Sequence, residues 1–241
     1  NEAGQEVKYR AIETSVPTGY AWLMDKHSDT KPADVTTEFY SEDSNKLGVI
    51  DVSVEKKWND NGDSAKKRPT EITLYLWADY KTGSALDTQV VKPDGSGDWK
   101  HTFTNLPKYK PGTATEAKYT VTEKAVANYN TGITGDQTSG YVVTNTVTTD
   151  IPVEKLWTDS NNKWNSRPTA GVQINLLTEG SIANPKTDTV TVKPDTKGDW
   201  KYTFIGRDKY DANGKLIDYT VTEDPVAADY VVDSIKWDDD D

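Results

Sequence analysis

Across 241 residues, 28 Lys and Arg stand against 39 Asp and Glu, a net charge of -11. That balance repels the phosphate backbone of nucleic acid and the anionic surface of a membrane, and no apolar run reaches the length of a bilayer span. Cysteine is absent, so disulfides and thiolate metal sites are excluded and any covalent stabilisation must use other chemistry.

In chain order, the pattern is a repeat. Residues 1–48 read as the C-terminal half of one unit, because "NEAGQEVKY" at the start has the length and turn of "DANGKLIDY" at 211–219. A complete unit follows over 49–148. Its segments "IDVSVEKKW" (50–58), "TEITLYLW" (70–77), "GDWKHTFTNL" (97–106), "AKYTVTEKAV" (117–126) and "GYVVTNTV" (140–147) alternate or are rich in Val, Ile, Thr, Tyr and Trp. They predict strands, and "NDNGDS", "KPDGSG" and "ITGDQTSG" predict the turns between them. Residues 149–241 begin a second unit. There "VEKLW" answers "VEKKW", "RPT" recurs, "VKPDTKGDWKYTF" answers "VKPDGSGDWKHTF" and "YTVTE" returns, at offsets of 99 to 101. After Tyr230 the text departs from the first unit and the last strand is missing, so the chain is expected to be an excerpt of a longer tandem array. No window holds a 3.6-residue apolar period. The fold class expected is all-β, tandem antiparallel β-sandwiches of the immunoglobulin-like kind. The short "VTTDIPVEK" between units predicts closely coupled neighbours in a rod-like array.

Strict alternation places three polar residues on inward faces. Lys56 shares a face with Val52, Val54 and Trp58; Glu123 shares one with Tyr119 and Val121; Asn145 shares one with Tyr141, Val143 and Val147. Lys155 and Glu223 repeat the first two positions. One reading is a buried Lys–Glu pair beside a hydrogen-bonded amide, or polar groups reaching water at strand ends. The other is chemical. Removal from water disfavours charge on amine and carboxyl alike, so a proton can rest on the carboxyl and leave a neutral, nucleophilic amine. Attack on the Asn145 carboxamide, with Glu123 shuttling protons until ammonia leaves, would yield a Lys56–Asn145 amide bond.

The ordered set "V-x-K-x-W", "GDWKYTF", "LPKY", "Y-T-V-T-E" and "V-T-N-T" resembles the Cna B-type domain, the collagen-adhesin B repeat of Gram-positive surface adhesins and pilins. The resemblance covers both full units and extends to the half unit. It implies a prealbumin-like or reversed immunoglobulin-like sandwich and a self-formed Lys–Asn isopeptide bond assisted by Glu. Carried onto this sequence, it implies Lys56, Glu123 and Asn145 in the complete unit, and Lys155 and Glu223 in the second with its acceptor unidentified. The half unit keeps Glu13 without a lysine strand, with Asn45 as a candidate acceptor. The implied role is a stalk on the bacterial cell surface, outside the cell, with neighbouring repeats as partners; a pilus shaft is the alternative.

Rival functions have less behind them. Tyr75 and Trp77 form an aromatic pair for a matrix protein or glycan, but the second unit has Asn175 and Leu177 there, so domain packing is the plainer reading. His27 and His101 have no shared pattern, no nucleophile motif or phosphate loop is present, and turnover catalysis is not expected. No metal or cofactor is expected: zinc fails on ligand count, and "NDNGDS" lacks the spacing of an EF-hand.

Overall fold

The computed structural model describes residues 20–25, 43–178 and 188–235, with side chains from Gly48 onward. Every regular element among the described residues is a strand. A short pair comes first, β1 (Tyr20–Asp25) antiparallel to β2 (Asp43–Leu47). Then follow β3 (Val49–Asn59), β4 (Ile72–Ala78), β5 (Asp87–Val91), β6 (Trp99–Pro107), β7 (Tyr119–Glu123), β8 (Tyr129–Asp136) and β9 (Gly140–Glu154). The last four are β10 (Val172–Thr178), β11 (Thr189–Val192), β12 (Lys201–Asp208) and β13 (Tyr219–Glu223). Two three-stranded antiparallel sheets, β5-β4-β7 and β11-β10-β13, repeat each other, and a larger sheet runs β12-β9-β3-β6 with β8 beside β9.

By contact density the chain divides into two compact units, residues 1–55, 71–124 and 133–142 in the first and residues 56–70, 125–132 and 143–241 in the second. In the first, alternation buries Ile72, Leu74, Leu76 and Ala78 of β4, Tyr119 and Val121 of β7, Val52 and Val54 of β3, and Trp99 and Phe103 of β6. Each full burial of such an aliphatic or phenyl side chain stabilises the fold by roughly 1.5–3 kcal/mol. Two phenols cross the core: Tyr119 donates to the Pro107 carbonyl at 2.7 Å and Tyr141 to the Tyr119 carbonyl at 2.6 Å.

In the second unit, Val172, Ile174 and Leu176 of β10 and Val192 of β11 pack with Trp200 and with Phe204 of β12, and Ile151 and Val153 of β9 lie against them. Two sheets therefore close face to face over one apolar layer, the sandwich that alternating strands require. Tyr219 repeats the bond of Tyr119, donating to the Asp208 carbonyl at 2.8 Å. Burial pushes its phenol up to about 12.

The structure departs from the sequence expectation at β5 and its counterpart β11, where no strand was expected, and at β8 and β9. Most of "ITGDQTSG", expected as a turn, belongs to strands β8 and β9, and only Gln137, Thr138 and Ser139 turn the chain, the N–H groups of the last two capped by the Asp136 carboxylate at 2.8 and 2.7 Å. Gly140 closes this hairpin at φ +90, where a Cβ would lie 2.5 Å from Ser53 Oγ. The expected linker also vanishes. β9 runs unbroken for 15 residues through "VTTDIPVE", and its residues Thr148–Glu154 pair with β12.

A polar cluster stands beside each lysine strand. The Arg68 guanidinium donates to both Asp60 oxygens at 2.7 and 2.5 Å, and Tyr129 adds a 3.0 Å bond. Arg167, Asp159 and Tyr230 repeat it at 2.6, 2.6 and 3.0 Å. Both oxygens of Asp60, in the "NDNGDS" turn, are thus taken up by donors of the chain itself. Each cluster ties its turn to an aromatic ring: Trp58 meets Tyr129 edge-on at 5.0 Å, and Trp157 meets Tyr230 at 4.7 Å.

Two outcomes are expected. Tyr219→Phe deletes one bond between the sheets and lowers the unfolding free energy by about 1 kcal/mol in urea titration; an unchanged midpoint would contradict the assignment. Acid provides the second. Arg167, with the Asn162 N–H and Tyr230, holds the Asp159 carboxyl far below its ordinary value. Burial alone raises Asp60, but Arg68, the Asp63 N–H and Tyr129 outweigh it and hold that carboxyl low. A depressed folded value means this stabilisation is complete above the unfolded value of about 3.9 and is lost as pH falls below it. Urea titrations at falling pH show a shallower acid loss in Asp60→Asn, Asp159→Asn than in the parent.

Candidate intramolecular cross-linking site

Strand alternation delivers the first candidate. On β3 the residues Val52, Val54 and Lys56 point the same way, at 0%, 3% and 5% exposure. An alkyl stem packs well there, but the ammonium at its tip needs partners. Lys56 Nζ donates to the Val143 carbonyl at 3.4 Å and the Lys57 carbonyl at 3.2 Å, and lies 4.4 Å above the Trp58 ring. The ring face and the two carbonyls give the amine a polar setting inside an apolar layer.

Val143 lies on β9, two residues before Asn145, on the same face. Asn145 is completely buried, and among the described residues neither its Nδ2 nor its Oδ1 has a hydrogen-bond partner. A carboxamide has two donors and an acceptor to satisfy. Leaving it in this condition costs several kcal/mol by general measures of polar burial, on the order of 1–3 per orphaned group.

The second sequence repeat brings its lysine and glutamate together. Lys155 Nζ lies 3.0 Å from Glu223 Oε2, with side-chain exposures of 18% and 6%. Glu223 Oε1 accepts the Ala227 N–H at 3.2 Å, and Lys155 Nζ lies 4.5 Å above the Trp157 ring. Glu223 stands on β13 opposite Ile174 of β10, and Glu123 stands on β7 opposite Leu74 of β4. The two glutamates thus occupy one register position in equivalent strand pairs. The second repeat thus holds an amine and a carboxyl, the two groups that the expected amide-forming chemistry calls for, at 3.0 Å in a shielded site.

Other candidates fare differently. Asn45 lies on β2 with its Cα opposite Trp22, and Glu13 lies outside the described residues. No asparagine follows Tyr230. Tyr75 and Trp77 sit 6.4 Å apart on the outer face of β4, with Trp77 Nε1 donating to Thr122 Oγ1 at 2.8 Å. His101 packs edge-on against Phe103 at 4.6 Å, and burial pushes its imidazole down.

Sequence reasoning missed the Asp–Arg–Tyr clusters. Their signal was available: Trp-x-Asp, then Arg eight residues after the Asp and a distant Tyr, occurs in both units, but "VEKKW", "NDNGDS" and "RPT" were read as separate fragments. These clusters matter to the site because each supports the tryptophan beneath its lysine. The Arg68 and Arg167 guanidinium carbons lie 5.6 and 5.5 Å from the Trp58 and Trp157 ring centroids.

Comparison with known proteins gives the chain its relatives. Over 236 residues the chain is 34% identical to the collagen adhesin of Staphylococcus aureus, covering 96% of this chain and 18% of that protein. The chain therefore spans less than a fifth of that relative's length. Among solved structures, two B repeat units of the collagen-binding protein of S. aureus share 36% identity over 76% of this chain and 47% of that one, at a TM-score of 0.36. A single B repeat unit of the same protein shares 30% over 76% and 89%, at 0.35. The pilus backbone of Streptococcus pneumoniae shares 14% over 76% and 55%, at 0.29. The family model for the Cna protein B-type domain matches residues 52–146 and again 151–240. With two such matches covering most of its length, the chain belongs to the Cna protein B-type domain family.

Proposed function

We propose that this chain is a stalk segment of a Gram-positive surface adhesin, held outside the cell, in which each complete domain closes on itself by a Lys–Asn isopeptide bond. The buried, unbonded carboxamide of Asn145 carries this reading. An asparagine kept in that condition makes sense as a reactant whose polar atoms are consumed or reorganised when the bond forms.

The step balances within the chain. The neutral Lys56 amine adds to Asn145 Cγ, Glu123 carries the amine proton to the departing nitrogen, and ammonia leaves as the new C–N bond forms. No oxidant, metal or nucleotide is needed, and the reaction occurs once per domain, so the chain is not a turnover enzyme. The Lys155–Glu223 pair at 3.0 Å supports the pairing of roles, and the common register of Glu123 and Glu223 extends it to the first domain.

A link between residues 89 positions apart removes roughly 4–5 kcal/mol of unfolded-chain entropy, by the loop-closure treatment used for disulfides. Its mechanical effect is larger, because tension then passes through a covalent bond between the first and last strands. Likeness to a collagen adhesin favours the adhesin stalk over a pilus shaft, with neighbouring B-type domains as the immediate partners.

Intact-mass measurement of the denatured chain tests this. The parent is expected to weigh less than its sequence by one ammonia for the first complete domain. Glu123→Ala restores that ammonia and speeds limited proteolysis. A parent at full sequence mass would sink the proposal.

A further inference from the structure

The two matched domains are joined by more than chain continuity. Within one compact unit, Asn59 and Asn130, both from the first domain, reach backbone of the second. Asn59 Nδ2 donates to the Asp211 carbonyl at 2.7 Å and lies 3.4 Å from Thr146 Oγ1 of its own domain. Asn130 Nδ2 donates to the Gly206 carbonyl at 3.0 Å and to Asp208 Oδ1 at 2.8 Å.

The receiving surface suits this role. β12 pairs regularly with β9 up to Phe204 and resumes at Arg207, so Gly206, at φ +68, sits in an irregularity of the ladder. Its N–H is held by Asp150 Oδ1 at 2.8 Å while its carbonyl faces Asn130. The 211–215 turn is braced internally, with Asp211 Oδ1 accepting the N–H groups of Asn213 and Lys215 at 2.8 and 2.9 Å. The Lys209 N–H bonds the Val147 carbonyl at 2.8 Å. Backbone carbonyls are therefore presented in fixed positions to two primary amides, groups with two donors each that can serve both domains at once.

The second domain does not repeat these two residues. Counting from the paired Trp58/Trp157 and Tyr129/Tyr230, the positions of Asn59 and Asn130 are Thr158 and Val231. We propose that Asn59 and Asn130 form a clamp that fixes the 206–215 segment of the following domain, and that this pair of residues marks which junctions of a B-type array are clamped. The clamp is independent of the cross-link, since neither asparagine takes part in that chemistry.

Asn59→Thr, Asn130→Val grafts the second domain's own residues onto the first, and native-state hydrogen exchange reads the result. Amides of Arg207–Lys209 and Asn213–Lys215 should exchange on the order of tenfold faster, while β4, β10 and β13 keep their protection and the intact mass differs from the parent only by the two substitutions. Unchanged exchange across 206–215 would overturn the clamp. So would a loss of protection spread through β10 and β13, because the asparagines would then support the domain's fold rather than its junction.

Discussion

A carboxamide sealed from water with no hydrogen-bond partner among the described residues is a standing penalty, and Asn145 carries it on β9. Folded chains tolerate few such groups. The surrounding design makes sense if the penalty is relieved by chemistry. β3 and β9 are neighbours in the larger sheet, one bringing a buried amine and the other a buried amide, in a chain that has no cysteine for a disulfide.

The features around this constraint are those needed to hold an amine in an apolar layer. Trp58 lies beneath Lys56, and Arg68, fixed by Asp60 and Tyr129, lies near the same ring. The second domain rebuilds the arrangement with Trp157, Arg167, Asp159 and Tyr230. Under the proposed stalk role, repetition at this level of detail suits domains in series, each of which would experience the same tension. The asparagines at the junction extend that logic from the domain interior to the boundary, where β9 already passes from one domain to the next without a break.

Much of this was legible in the residues because a strand's two-residue period is unforgiving. Val52, Val54 and Lys56, or Tyr141, Val143 and Asn145, must share a face once the strand is granted, and their burial follows. The 100-residue echo supplied the internal control that separated "YTVTE" from chance. Legibility failed where side chains do not alternate. β8 carries two glycines and only Tyr129 is buried on it, so its strand character comes from pairing with β9, an interaction local pattern cannot reveal. Asp60 and Arg68 are eight residues apart in a turn and meet through a loop geometry with no period. β9's continuity was hidden because "VTTDIPVEK" was expected to be a short connection, whereas it pairs with β12, with Pro152 opposite Thr203.

Tandem mass spectrometry of a protease digest of the parent chain tests the central claim most directly. The account predicts a branched peptide in which the side chains of Lys56 and Asn145 are joined with the loss of one ammonia. Two separate linear peptides, with Lys56 and Asn145 both unmodified, would contradict it.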